Sequence, residues 1–472
     1  MPWQQVFPGC YERKFDSLEA FYLTVTASTI ALEKQHFHVT CTVRFQSLPS
    51  VDELRRAWLA LRHRYPHIAA RPSDDCNGDV PARFVYTVPS TADLEAWMQE
   101  TLTVVNALAA PSAESLFETF PPTALVKLYF LPHTHELCFR APHWRLDATS
   151  MMCTQDALLQ ILADGPPSLG ELVFDGSEAA RLPPSLDEAG GVPQEATPAI
   201  LRAVEEELSV LKAEGPHLTL PTRPNVLPGT TRRYGFNLPH TSTQQIIAGC
   251  KARGLTVTTA AHAALALVMQ RYAIHDFDPA TRGRPGGKFT GLVSVDLHKY
   301  LPAPWNEPAT AASPYHSGIP ISVDLDVARD FSAIAASLTP VYARNLGQDS
   351  PRNLFTILAE YERQCTALLA VPPPDPLRRP AHAELSSIGI IDRHVRPQYE
   401  GVGVGGRNSK TYTLEDWWIA SEMTGRYLQM RLWTWNGQMH LGVNYNEAFH
   451  EATFVEAFVA EWRDVFVENI VV

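Results

Sequence analysis

The chain has 472 residues, 45% apolar and 19% charged, enough material for two or three domains and a large core. Its 51 acidic and 39 basic side chains leave a net charge of −12. That balance argues against nucleic acid or an anionic membrane surface as the main partner, because both need a basic footprint.

The N-terminus, MPWQQVFP, lacks the basic start and apolar run of a signal peptide, so a cytoplasmic protein is expected. Residues 37–45 (FHVTCTVRF) alternate and are rich in β-branched side chains, which predicts a strand. Residues 51–65 (VDELRRAWLALRHRY) carry a helical stripe through Leu54, Trp58 and Leu61, and Asp52 and Glu53 favour the N-terminus of that helix. Two further strands are expected at 125–130 and 136–141, joined by a turn through His133 and His135, and a helix at 148–163. The first half therefore reads as mixed α/β.

From residue 164 to about 198 the composition turns to Pro, Gly, Ser and acidic residues, a candidate boundary or long crossover. A helix at 199–214 continues the crossover and 216–229 is again loop. The second half repeats the style of the first. Helices are expected at 242–252 and 257–272, a strand at 290–297, a helix at 331–346 and a short strand at 388–392. A hairpin pairs 427–435 with 439–445 around Asn436-Gly437, a type I′ turn signal, and an amphipathic helix closes the chain at 451–467. The longest strongly apolar stretch, 260–269, is about half of what a membrane span needs. The expected division is 1–190, a linker at 191–230, and 231–472.

Seven cysteines (Cys10, Cys41, Cys76, Cys138, Cys153, Cys250, Cys365) are scattered without CxxC spacing, so reduced thiols are expected rather than disulfides or zinc. His133 and His135 lack a matching third ligand, and no metal site is expected. His262, in a small-residue helix, reads as a buried hydrogen-bonded side chain. Trp433 and Trp435 share one face of a strand and read as core.

The chemistry centres on Pro-His143-Trp-Arg-Leu-Asp147-Ala. His143 follows a predicted strand and Asp147 stands just before a predicted helix. Such a corner projects side chains into whatever cleft the sheet edge faces, and histidine supplies a base with a pKa near neutrality. An Asp four residues later can tether the turn. HxxxD alone is a weak pattern.

Strand, HxxxD and helix in this order, near residue 145 of a two-half chain, resemble the superfamily of CoA-dependent acyltransferases. That group includes the plant BAHD enzymes, the condensation domains of peptide synthetases and the fungal trichothecene O-acetyltransferases. Further segments agree in order: VDELRRAWLALRHRYPHIAAR (51–71), GLTVTTAAHAALALVMQ (254–270), GLVSVDLHKYLP (291–302), LSSIGIID (385–392) and WTWNGQMHLGVNYNEAF (433–449). The last is similar to the final hairpin of the trichothecene 15-O-acetyltransferase-like branch.

The resemblance implies an α/β (mixed α+β) fold of two chloramphenicol-acetyltransferase-like subdomains with a tunnel between them. It also implies acyl transfer, with acetyl-CoA or another acyl-CoA as co-substrate and a small-molecule alcohol, such as a terpenoid or polyketide, as acceptor. No nucleic acid, membrane or metal is implied, and a monomer is expected. His143 would be the general base and Asp147 a structural residue paired with a cation of the second half. The sequence has His298 where Arg is common, which leaves that partner open among His298, Lys299 and an Arg from elsewhere. Ala148 stands where most members have Gly, tolerable unless its φ is positive.

The plant enzymes' D-F-G-W-G loop is missing. Its nearest counterpart, 414–421, offers Trp417, Trp418 and Ser421 as oxyanion donors or pocket walls, with a structural role for the indoles equally open. Arg282, Arg284 and Lys288, in a glycine-rich stretch that is not a P-loop, are candidates for the CoA phosphates against the alternative of a solvated turn. Asn446 is a candidate for the acceptor side. Two other readings stay open: a carrier-protein thioester as donor, and a non-acyl catalyst or ligand-binding scaffold that reuses the tunnel.

Overall fold

The computed structural model describes residues 2–73, 82–212, 215–224, 226–310, 312–350, 353–370, 381–403 and 407–471. Cys76 and the end of the expected 199–214 helix lie outside them. The architecture is mixed α/β, with two large sheets and a buried core on each.

The first sheet has six strands in the order Gln398–Glu400, Thr411–Ser421, His38–Phe45, Glu136–Pro142, Lys127–Leu131, Leu102–Val104. The central strand His38–Phe45 is buried along almost its whole length, which suits its β-branched sequence. Helices Val51–Arg64 and Ala148–Asp164 pack on this sheet and on each other. The first starts with a capping box: the Ser50 side chain takes the Glu53 N–H, and Glu53 returns to the Ser50 N–H. Trp58 and Leu61 on its inner face are fully buried, each contributing about 1.5–3 kcal/mol of apolar transfer.

Two strands of this sheet come from the far end of the chain. The segment 414–421, for which the sequence predicts no element, belongs to the strand Thr411–Ser421, antiparallel to His38–Phe45, with Trp417 opposite Val43 and Ser421 opposite Val39. The local sequence concealed it because its pairing partner is some 370 residues away, and strand propensity alone depends heavily on such context.

The second sheet has the order Thr231–Asn237, Gln438–Asn446, Leu428–Trp435, Ala383–Ile390, the last pair parallel. The Asn436-Gly437 turn has positive φ at both residues, 47° and 71°, as a type I′ turn requires. Helices Val257–Tyr272 and Ala452–Ile470 cover this half. The alanine-rich face of the former lets Trp462 approach until its Nε1 donates to Ala261 O at 2.9 Å. A separate antiparallel hairpin pairs Lys288–Asp296 with His316–Asp324.

The helix Ser17–Ile30 packs against Leu358–Ala370 of the second half, and Leu18 belongs to that half's core. Conversely, Trp433 and Trp435 of the second sheet are buried in the first core. No single helix among the described residues is long and apolar enough to cross a membrane.

Candidate active site

A cavity of about 420 Å³ opens between the two sheets, lined from the first half by Tyr22, Phe37 and His143 and from the second by His316, Ser386 and Arg431. His143 stands one residue past the strand Glu136–Pro142. The chain turns there through Arg145, whose guanidinium donates to the carbonyls of His67, Ala70 and Ala124. The His143 ring is held by aromatic contacts: Tyr22 stacks on it, Phe37 meets it edge-on at 6.1 Å and His316 lies 4.6 Å away. Among the described residues its buried Nδ1 has no hydrogen-bond partner. Burial lowers the pKa of this imidazole to about 3; nearby His316 acts in the same direction and Asp147 opposes it. The ring is therefore neutral at neutral pH and can accept a proton.

Asp147 also borders the cavity, but its carboxylate is taken up by backbone and side-chain donors around it. It is the N-cap of Ala148–Asp164, with Oδ1 accepting from Ser150 N and Ser150 Oγ, both at 2.7 Å. Its Oδ2 accepts the backbone N–H of Tyr315 at 2.8 Å, from the second half. Nδ1 of His298 and Nδ1 of His316 each lie 3.7 Å from the same Oδ2. Burial would raise the Asp147 pKa, but His298 first and then His316 pull it well below the usual carboxylate range. Among the described residues no Arg or Lys lies within ion-pair distance of Asp147, and the groups that do are His298 and His316. His298 is one of the three candidates left open by the sequence; its Nδ1 also contacts Asp296 at 2.7 Å, and Asp147 and Asp296 together raise its pKa against the opposing effect of burial. His316 had no local signal, since it opens a strand 169 residues after Asp147. Ala148 is not among the residues with positive φ, so the helix starts without the missing glycine.

The aromatic pair on the strand Thr411–Ser421 lies outside the cavity wall. Trp417 Nε1 donates to Gln155 Oε1 at 3.0 Å, and Trp418 carries the Arg233 guanidinium 4.2 Å above its ring. Ile419 and Ser421, further along the strand, do line the cavity. Asn446 is fully buried and fully engaged: it donates to Gly229 O and Met423 O and accepts from Gly229 N and Ala448 N. It closes a loop and does not border the cavity.

Arg282 and Arg284 are exposed, in a turn against the C-terminal end of the helix Val257–Tyr272, where the Gly283 N–H donates to Ala273 O at 2.9 Å. The other end of that helix meets the cavity wall, with Thr258 Oγ1 2.7 Å from Ser387 Oγ. At the α-helical rise, about 20 Å separates the two ends. Lys288 is paired with Asp324. His262 bonds Tyr342 OH at 2.7 Å inside the core. Among the described residues no group of three or more His, Cys, Asp or Glu could hold a metal ion.

No protein-family model matches the sequence. The chain is 27% identical over 480 residues to the O-acetyltransferase pigM of Monascus ruber, covering 100% of this chain and 87% of that one. The trichothecene 15-O-acetyltransferase TRI3 of Fusarium sporotrichioides superimposes with a TM-score of 0.78 at 15% identity, covering 99% of this chain and 98% of that one. The first condensation domain of the calcium-dependent antibiotic synthetase superimposes with a TM-score of 0.61 at 12% identity, covering 96% of each. The chain therefore has the two-lobed fold that these proteins share.

Proposed function

We propose that the chain is an acyltransferase that moves an acyl group, acetyl in the simplest case, from acyl-CoA to a hydroxyl of a specialised metabolite such as a terpenoid or polyketide. The observation that carries this reading is His143, a neutral imidazole fixed by stacking and bordering a cavity to which both halves contribute. The full-length similarity to an O-acetyltransferase supports the same reaction class.

On this reading the acceptor hydroxyl gives its proton to the Nε2 of His143 as its oxygen attacks the thioester carbonyl. The tetrahedral intermediate then collapses, the C–S bond breaks, and His143 returns the proton to the leaving sulfur. Burial that disfavours the imidazolium also favours that return. Asp147 is a positioning residue, holding the turn after His143 against Tyr315 of the other half. The phosphates of the donor fall to Arg282 and Arg284, neither of which has a carboxylate within ion-pair distance among the described residues.

The test is thiol release from acetyl-CoA with a panel of alcohols. Replacing His143 with Ala is expected to lower the rate by about 10²–10⁴, the usual worth of a positioned base. Release that does not depend on His143 overturns the proposal. A second reading keeps the fold and takes the acyl group from a carrier-protein thioester, which the likeness to a condensation domain favours. It predicts inertness toward acetyl-CoA and turnover with an acylated carrier protein in the same assay.

A further inference from the structure

Among the buried arginines, Arg13 is paired with Glu19 and Arg140 with Glu422. Arg145 is used up on three backbone carbonyls. Arg62 lies over the Trp97 ring. Of these five arginines Arg431, on the strand Leu428–Trp435, is the one that lines the cavity. It is 4% exposed, and among the described residues every hydrogen-bond partner it has is neutral. Nη1 donates to Ser386 Oγ at 3.1 Å, and Nη2 donates to Ser421 Oγ and Gln429 Oε1, both at 2.6 Å. With the Asn444 amide turned so that its oxygen faces the guanidinium, Nε and Nη2 each lie 3.2 Å from it.

A cation taken out of water without a counter-charge is costly. Four carboxylates line the same cavity and each has another partner: Asp147 accepts from Ser150 and the Tyr315 N–H, Asp296 contacts His298 Nδ1 at 2.7 Å, Glu384 is taken by His382 at 2.8 Å and Glu362 by Ser317 at 2.6 Å. Burial pulls the Arg431 pKa down to about 10, with Cys41 and Tyr427 opposing, so the group stays charged at neutral pH. The guanidinium has five N–H groups, and these contacts leave one of them without a partner. Because Ser386 and Ser421 accept from Arg431 through their oxygens, both hydroxyl hydrogens are also free to donate.

We infer that Arg431, Ser386 and Ser421 form an anion subsite, and that the acceptor carries a carboxylate or ionised enol that docks there while its hydroxyl reaches His143. The spacing suits one small molecule. Ser421 is in register with Val39 and, through it, with Ala141, two residues before His143. About 10 Å, two strand spacings, therefore lies between the serine and the strand that leads to the base. Leu18, Phe21 and Leu292 give the body of such a molecule an apolar wall. A site that satisfies a buried cation only when an anion is bound discriminates strongly against neutral analogues.

The proposal deepens the acyl-transfer reading, on which it rests, but its test needs no turnover and so fails separately. The full chain is titrated with benzoate and with benzamide, a neutral analogue of similar shape, and binding is followed by tryptophan fluorescence. The expected result is at least about tenfold tighter binding of benzoate, a preference lost in Arg431→Gln. Should that variant fail to fold, the double variant Ser386→Ala, Ser421→Ala is expected to reduce the preference several-fold. Equal affinity for the two probes in the unaltered chain overturns the subsite, as does a preference that survives these replacements.

Discussion

Tyr22 lies face to face with His143, ring centroids 4.4 Å apart and planes 2° from parallel, while its hydroxyl is 2.7 Å from His316 Nε2. One side chain thus fixes the plane of the His143 ring and also ties it to the histidine beside Asp147. Tyr22→Phe keeps the stack and is expected to retain the transfer rate within a few-fold. Tyr22→Ala frees the ring and is expected to lower kcat by about 10–100-fold, since small misplacements of a reacting group are costly. Equal rates in the two variants would show that the stack is irrelevant.

Asp147 and His298 make a charge pair whose worth depends on pH. The Asp147 pKa is depressed, so its contribution is present above the ordinary carboxylate value and is lost as pH falls toward the depressed one. The His298 pKa is raised, so its contribution is full below the ordinary histidine value and is lost as pH rises through the raised one. Both hold between about pH 4 and 6.5. Asp147→Asn strips the charge that His298 and His316 face and is expected to cost about 3 kcal/mol in that window, and less above it. Urea unfolding at pH 5.5 and pH 9 checks the sign.

Glu362 works in the opposite sense. Burial raises its pKa to about 7, helped by Asp187 and opposed by the Ser317 hydrogen bond. The folded state holds this proton where the unfolded chain releases it, so stability falls as pH rises from about 4.5 to 7. Glu362→Gln is expected to remove a loss on the order of 3 kcal/mol, making the variant the more stable form at pH 8 but not at pH 4. Parallel curves for the two proteins would refute this.

The Trp417 indole is spent on Gln155, outside the cavity wall. Trp417→Phe is therefore expected to leave kcat within about twofold and to cost about 1 kcal/mol of stability, the usual net worth of one hydrogen bond. A fall in kcat of a hundredfold or more would instead point to an oxyanion donor.

Arg282 and Arg284 sit about 20 Å from the cavity wall by helix rise, a distance that suits the phosphate end of a long donor rather than its thioester. Joint replacement by Ala is expected to raise KM for acetyl-CoA about tenfold or more, with kcat unchanged. An unaltered KM assigns the phosphates elsewhere.

Much of this site could be read from local pattern. The helix at 51–64 showed its apolar periodicity and that at 257–272 its run of small apolar residues, the last hairpin showed Asn436-Gly437, and the strand–HxxxD–helix corner showed His143 and Asp147. What escaped depends on partners distant in sequence. The helix Ser17–Ile30, SLEAFYLTVTASTI, is rich in threonine and aromatic residues and has no clear apolar stripe; only the capping box of Asp16 and Glu19 marks its start. It is held by packing on the other half, and it carries Tyr22. Arg431 is a lone charged residue in the strand Leu428–Trp435 and carries no local signal. Its lack of a counter-charge becomes visible only when the sheets meet.

The strand Thr411–Ser421 has a consequence for biosynthesis. It completes a sheet whose other principal strands all lie before residue 143, so on the ribosome His38–Phe45 waits as a naked edge, apolar and ready to pair with any passing chain, until nearly nine-tenths of the polypeptide has emerged. Truncation anywhere upstream of residue 411 is thus expected to yield an aggregating fragment rather than a smaller folded lobe.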